Sequence, residues 1–272
     1  MIACCVCDNV RAVPFYVQRG PVQHRACVRC GLVRQPEPES LDTIESIYDH
    51  GYFESRGTET LAEPQARDIA VRDWLGARSG PGRRVVEIGI GWGGTLTLLQ
   101  QTGAEVMGVE PSKRQATAVG EALGIDVHHG LWEDAPHEGP FDAIVLCHVL
   151  EHFRDPGEAI DKARRVLKDD GAVFIEVPNM ANPAVGKVLG GWLTREHIWY
   201  FTPATLEAFL ARHGFAVQRR EIASYIRFLV TPAPPAAPKV PFDLPRVYAG
   251  VVRHEATMWP RRVKRRLARS TT

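Results

Sequence analysis

The 272-residue chain has no apolar run of membrane-spanning length, no internal repeat and almost no net charge, with 33 Lys and Arg against 32 Asp and Glu. The first absence excludes a helical membrane span, and the second a repeat architecture. A net charge of +1 offers no global attraction for nucleic acid or a membrane surface. Cysteine is also scarce: there are six, and all but Cys147 stand in the first 30 residues. No signal-peptide pattern precedes them and the remainder reads as a cytosolic enzyme, so the thiols are expected to stay reduced. At this length one α/β domain plus a small accessory module is the natural count.

The most informative stretch that is present is VVEIGIGWGGTL, residues 85–96. Val85, Val86 and Ile88 read as a buried parallel strand that carries an acid, Glu87. The chain then turns through Gly89, Gly91, Gly93 and Gly94 into an apolar helical pattern (Leu96, Leu98, Leu99). Such a turn lets backbone amides and a positive helix end approach a ligand, and it predicts a nucleotide-like cofactor site. Gly89, Gly91 and Gly94 satisfy the dinucleotide pattern G-x-G-x-x-G, with Glu110 placed as a ribose-binding acid. With Gly93 the same run is E-x-G-x-G-x-G. EVMGVEPS (105–112), FDAIVLCHVLEHFRDP (141–156), VLKDDG (166–171) and AVFIEVPN (172–179) follow, and strands alternating with helical stretches imply a doubly wound parallel sheet.

Taken in order, these segments resemble the motifs of class I S-adenosylmethionine-dependent methyltransferases over residues 81–232. The resemblance implies an α/β, Rossmann-like three-layer sandwich with a mostly parallel seven-stranded sheet, and S-adenosyl-L-methionine as cofactor. It places Glu87 near the cofactor's methionine end, Gly89, Gly91 and Gly93 under it, and Glu110 on the ribose hydroxyls. His148 opens the motif beside the methionine portion. Trp132 is placed over the adenine face, with Glu133 or Asp134 near its amino group. Glu151 and His152 read as support for the cofactor loop, and Cys147 as a small core residue.

Cys4-x2-Cys7 and Cys27-x2-Cys30 form two knuckles separated by 19 residues, a spacing that suits a tetrahedral structural Zn2+. Cys5 offers a shifted register and His24 a substitute ligand. A proline-rich link and SIYDHGYFESRG (46–57) follow. Together these resemble bacterial zinc-ribbon methyltransferases, including sugar C-methyltransferases and enzymes of glycan or natural-product clusters. That resemblance makes Tyr48, Tyr52 and Phe53 candidates for the substrate pocket. The segment TREHIWYFTPATL resembles the E-H-x-x-Y-F stretch of the sugar enzymes, whose histidine is assigned a base role. His197 is then the candidate base, oriented by Glu196, with Tyr200 and Asn179 joining the substrate residues. The sugar enzymes carry tyrosine three positions before that histidine; here it is Thr194. Thr202-Pro203 is a helix start with Thr as N-cap, and Gly214 its stop.

The expected function is methyl transfer to a hydroxyl or carbon of a small polar metabolite, with a sugar or nucleotide-sugar among the candidates, in the cytoplasm. An RNA or protein methyltransferase using the ribbon and the basic C-terminal tail is the alternative. The absence of [DN]-P-P-[YF] speaks against nucleobase N-methylation. A non-catalytic zinc-ribbon binding protein is the contrasting class, and an NAD-dependent oxidoreductase rests only on the shared glycine pattern. The expected division is a ribbon (1–36), a helical connector (37–80), a methyltransferase domain (81–232) and a proline-rich linker with a basic tail (233–272).

Overall fold

The computed structural model describes residues 3–17, 23–35, 61, 63–136, 139–184, 192–194, 196–237 and 239–269. Tyr48, Tyr52 and Phe53 lie outside the described residues. At the N-terminus β1 (Ala12–Val17), β2 (Gln23–Cys27) and β3 (Val33–Arg34) run antiparallel between and after the two cysteine knuckles. Helix α1 (Ala66–Leu75) follows, its start closed by the Gln65–Asp68 capping box.

Then comes the alternation expected of the cofactor domain: β4 (Arg84–Ile88), α2 (Gly94–Gln101), β5 (Glu105–Glu110), α3 (Lys113–Leu123), β6 (Val127–His129), β7 (Phe141–Cys147), α4 (Pro156–Val166) and β8 (Leu167–Pro178). After a two-residue strand, β9 (Trp199–Tyr200), come α5 (Pro203–Arg212), β10 (Phe215–Ile222), β11 (Tyr225–Pro232) and α6 (Leu244–Arg269). The main sheet has seven strands in the order β10-β11-β8-β7-β4-β5-β6, and only β11 opposes its neighbours. This is the mainly parallel, Rossmann-like seven-stranded sheet that the sequence implies. The order reverses at β4, which places the turn after β4 at the switch point where open α/β sheets bind ligands.

Helix ends follow local chemistry. Asp155 accepts from the Glu158 N–H at 3.0 Å ahead of Pro156, starting α4. Thr202 and Thr205 exchange side-chain and backbone bonds at 3.2 and 2.8 Å to open α5, as the Thr-Pro pair predicts. One boundary differs from expectation. The strand read as 172–179 starts at Leu167, directly after α4. Leu167 pairs with Phe141 and Ala172 with Ala143, so residues 168–171, whose composition reads as a turn, form an irregularity in the β7–β8 ladder, where Lys168 pairs with Asp142 at 2.7 Å.

The N-terminal strands share a sheet with the rest of the chain: its order is β1-β2-β3-β9. Cys4, Val6, Cys7, Cys27, Cys30 and Leu32 belong to the same apolar cluster as Phe201, Phe209 and Leu210. The start of α6 also closes on the ribbon, with the Asp243 N–H donating to the Cys30 carbonyl at 3.2 Å. Gly31 is required there, because a Cβ would stand 2.4 Å from the Leu244 nitrogen. Among the described residues no helix is long and apolar enough to cross a membrane.

Candidate active site

A cavity of about 550 Å³ opens at the carboxyl ends of β4, β5 and β7 and runs to the segment before β9. Its first half is lined by Glu87, Gly89, Gly91, Glu110, Trp132 and Glu133. Gly89 has φ +71 and its Cβ would meet a Val149 methyl at 2.5 Å, so only glycine fits. Gly91, φ +53, has nothing within 4 Å of a Cβ position, which leaves the backbone bare toward the cavity. Gly93 is off the cavity wall and packs against Val119 as the N-cap of α2.

Glu110 accepts from the Gly91 N–H at 3.1 Å and the Ser112 N–H at 2.9 Å, which fixes its carboxylate at the end of β5. Glu87 differs. It is 2% exposed, one of its oxygens has no partner, and burial pushes its pKa up to about 8 against the pull of Arg67. Trp132 is buried, donating to the Ala159 carbonyl at 3.0 Å. A buried lysine, Lys162, donates to the carbonyls of Trp132 (2.5 Å), Glu133 (3.2 Å) and Ala135 (2.5 Å), and so shapes this loop from below.

The second half is lined by His152, Phe153, Trp192, Glu196, His197 and Tyr225. His148 stands between the halves with φ +56, a left-handed conformation that costs a non-glycine residue energy. Its ring bridges two buried carboxylates, Glu151 at 3.3 Å and Glu176 at 2.9 Å. These outweigh its own desolvation and raise its pKa to about 9. Arg227 also pairs with Glu176. Glu151 is wholly buried, yet the histidines around it hold its pKa near 2. One of its oxygens still lacks a partner.

The carboxylate nearest the His197 ring is that of Glu151, 3.9 Å from Nε2, rather than the expected Glu196, which lines the cavity beside it. His152 meets the His197 ring edge-on, with centroids 4.7 Å apart. Burial dominates at His197 and lowers its pKa to about 3, where proximity to a carboxylate alone predicts a rise. The imidazole is therefore neutral at neutral pH, and its Nδ1 has no hydrogen-bond partner.

Two expected acceptor residues are held elsewhere. Asn179 is buried, donating to the Ala223 carbonyl at 2.8 Å and accepting from the Ala181 N–H at 3.0 Å. Tyr200 turns toward the ribbon, donating to the Thr194 carbonyl at 2.9 Å and lying 3.1 Å from His24 Nε2. The cavity wall also carries residues the motifs do not mark: Arg67, Trp192 and Tyr225. Lys162 had a readable signal, since it occupies an apolar position of the α4 repeat with Ala159, Ala163 and Val166.

About the ribbon's centre the sulfur atoms of Cys4, Cys7, Cys27 and Cys30 all lie within 4.8 Å of one another, and all four residues are buried. Cys4–Cys30 and Cys7–Cys27 approach to 3.4 and 3.6 Å. Hydrogen bonds from Cys30 and Cys4 hold Cys27 far below its ordinary pKa, while Cys27 pushes Cys4 up to about 12. Asn9 adds a donor to Cys27 Sγ at 3.4 Å.

A family model described as a methyltransferase domain matches residues 61–219. An uncharacterised methyltransferase of Staphylococcus carnosus is 34% identical over 94 residues, covering 34% of this chain and 45% of the relative. A ubiquinone biosynthesis O-methyltransferase of Azorhizobium caulinodans is 29% identical over 168 residues, covering 55% of this chain and 66% of the relative. The chain thus spans between about half and two thirds of these relatives' lengths. The fold matches a Burkholderia thailandensis 1,6-didemethyltoxoflavin-N1-methyltransferase solved with S-adenosylhomocysteine, at TM-score 0.55 and 16% identity, covering 81% of this chain and 99% of that one. An S-adenosylmethionine-dependent methyltransferase of Mesorhizobium loti gives TM-score 0.51 at 17% identity, covering 60% and 96%. With the family model covering more than half of its length, the chain belongs to the methyltransferase-domain family.

Proposed function

We propose that the protein transfers the methyl group of S-adenosyl-L-methionine to a hydroxyl of a small polar molecule. The observation that carries this reading is one cavity joining the buried, part-partnered Glu87 and the fixed Glu110 to a neutral histidine, His197. A bound S-adenosylmethionine supplies an electrophilic methyl on a sulfonium, whose S–CH3 bond breaks as the O–CH3 bond forms and which leaves as a neutral thioether. Glu110 receives the ribose hydroxyls on the lone pairs its two backbone bonds leave open. Glu87 receives the ammonium group, which replaces the partner its buried oxygen lacks. Trp132 and Glu133 form the adenine end. Arg67, on the cavity wall beside Glu87, is placed to take the carboxylate.

His197 takes the acceptor's proton. A weak base suffices, because a hydroxyl oxygen becomes strongly acidic as the new bond to carbon forms. The imidazolium that results is stabilised by the Glu151 carboxylate 3.9 Å away. Trp192, Tyr225 and Phe153 exclude water around the acceptor. The reading of a hydroxyl draws on relatives named as O-methyltransferases, and a sugar or nucleotide-sugar acceptor draws on the E-H-x-x-Y-F segment.

The four thiols fit Zn2+. Zinc–sulfur bonds of about 2.3 Å put tetrahedral sulfurs roughly 3.8 Å apart, a small adjustment from the cluster as it stands. In this reading residues 1–36 are a structural zinc ribbon, 37–80 a connector, 81–232 the catalytic domain and 233–272 a linker and tail. The protein works in the cytoplasm, where thiols stay available to metal.

Calorimetric titration with S-adenosylhomocysteine tests the cofactor half; micromolar binding is expected, and no binding sinks the proposal. A panel of nucleotide-sugars, phenols and RNA then tests the acceptor. Turnover on RNA alone would overturn the small-molecule reading.

A further inference from the structure

The ribbon reaches the segment that walls the acceptor half of the cavity. β3 pairs with β9 in the register Val33↔Tyr200 and Arg34↔Trp199. The next residue, Gln35, is 3% exposed, and its N–H donates to the Ile198 carbonyl at 3.0 Å. Its side-chain nitrogen passes beyond the sheet and donates to the carbonyls of His197, at 2.7 Å, and Thr194, at 3.3 Å. Two carbonyls facing one end of an amide require its NH2, so both of its protons are engaged. From the opposite side the Ile198 N–H donates to the Glu151 carbonyl, and the Trp199 indole to the Phe153 carbonyl, each at 2.8 Å. His197 therefore sits on a segment gripped by the ribbon on one side and by the 148–153 turn on the other.

The grip leads back to the thiols. The Cys27 N–H donates to the Leu32 carbonyl and the Gly31 N–H to the Cys27 carbonyl, each at 2.9 Å, which closes the knuckle that feeds β3. Strand pairing alone would suffice to attach the ribbon. The Gln35 side chain does something the pairing does not, because it fixes the two carbonyls that flank the turn carrying His197.

We infer that Gln35 is a positioning residue for His197, and that metal bound by Cys4, Cys7, Cys27 and Cys30 sets that position through β3. The ribbon is then part of the acceptor site. This rests on the reading of His197 as the proton acceptor. Withdrawing the amide takes the donor from the His197 carbonyl and leaves the Thr194 carbonyl with the Tyr200 hydroxyl, a cost that favours a shift of the segment.

The test uses the full zinc-loaded chain with 13C-labelled histidine, the His197 ring signal being assigned by its loss in His197→Gln. Glu151, His152 and His148 face this ring from the turn, Glu196 lies beside it on its own segment, and His24 and Tyr200 stand on the ribbon side. In the unmodified chain the ring titrates near 3. In Gln35→Ala its signal shifts and its midpoint moves up toward the ordinary 6.5 as water enters. S-adenosylhomocysteine affinity stays within about twofold, and the zinc content is unchanged. Gln35→Glu keeps the side-chain size but, ionised, offers no donor; it gives the same shift and serves if the alanine variant fails to fold. Removing the metal from the unmodified chain with a chelator moves the same signal. An unmoved His197 signal in both variants overturns the inference, as does a loss of S-adenosylhomocysteine affinity in step with the shift. The base reading fails separately: His197→Gln methylating an acceptor as fast as the unmodified chain removes the base and leaves the positioning standing.

Discussion

Two buried carboxylates near one cavity titrate in opposite directions, Glu87 on its wall and Glu151 behind the histidines that line it. Glu87, at the end of β4, is raised to about 8 by burial. Glu151, on the turn after β7, is buried more completely and is lowered to about 2 by the histidines around it. Burial alone would raise both. The difference is where the compensating charge resides. Glu151 has its cation within the fold, in His148, which a second carboxylate also holds protonated. Among the described residues Arg67 is the charge that favours the Glu87 carboxylate, and it is not enough. The Glu151 half is electrostatically finished within the fold; at Glu87 the fold's own cation falls short.

The sharpest way to break this comparison is to remove the finished half's anion. Glu151→Gln leaves His148 with one carboxylate and strips the charge beside His197. Breaking a buried, hydrogen-bonded pair costs about 3–5 kcal/mol, so a large drop in unfolding free energy is expected by denaturant titration. The pH dependence carries the sign. The stability from His148 is fully present below its unfolded value of 6.5 and is lost as pH rises through about 9. That from Glu151 is present above 4.5 and is lost as pH falls through about 2. The unmodified chain should therefore weaken measurably between pH 7 and 10, and the variant less so. Equal slopes would show that His148 is not held by Glu151.

In the cofactor half, the largest effect is expected at Glu110. In the proposed reading Glu110→Ala removes charge-assisted bonds to the ribose hydroxyls, and it frees the Gly91 and Ser112 amides. S-adenosylhomocysteine affinity should fall by about 1.5–3 kcal/mol. An unchanged dissociation constant would remove Glu110 from the site.

These two predictions also divide what the sequence makes legible from what it does not. The cofactor half comes from consecutive strand ends of one parallel sheet, so Glu87, the glycines and Glu110 stand within 24 residues of each other. Their spacing carries the geometry, and strand order supplies the rest. The acceptor half draws on the ribbon, the 148–153 turn, the 192–200 segment and β11, which approach only through tertiary pairing. So the E-H-x-x-Y-F segment puts Glu196 and His197 on the cavity wall, yet Tyr200 turns to His24 and Glu151 replaces Glu196 as the nearest carboxylate. Gln35 carries no local signal, because its role exists only once β3 meets β9. Within the stretch that reads as a linker and basic tail the chain forms α6, and its start seats on Cys30.

A third prediction follows from Glu87 being uncharged below about pH 8 in the free protein. An ammonium ligand binds the carboxylate, so binding must expel a proton, and apparent affinity rises with pH by at most about tenfold per unit. Folding shows the opposite sign: the raised value favours the folded state below 4.5, and that contribution is lost as pH rises through about 8. Calorimetry with S-adenosylhomocysteine at pH 6, 7 and 8 should show tightening accompanied by proton release into the buffer. Glu87→Gln should flatten both trends. A flat profile in the unmodified chain would mean that Glu87 does not meet the ligand's charge, and the contrast with Glu151 would lose its functional meaning.

The smallest expected effect sharpens the comparison from beneath the loop. Lys162 is a cation the fold supplies to the cofactor half, yet it is spent on carbonyls rather than on a carboxylate. Burial lowers its pKa, and the oxygens of Trp132 and Ala135 keep the ammonium bonded. Lys162→Met keeps an unbranched apolar side chain but removes the donors and the ammonium that stands 4.6 Å from the Trp132 ring centroid. Trp132 should then hold the adenine end less tightly, lowering S-adenosylhomocysteine affinity by roughly 1 kcal/mol, the worth of an ordinary hydrogen-bonded restraint. Discrimination against S-inosylhomocysteine, whose base lacks the amino group expected to meet Glu133, should shrink with it. If affinity falls while that discrimination is unchanged, Lys162 supports the loop without setting where Glu133 points. If both fall together, a lysine at a core position of α4 is part of how this site reads adenine.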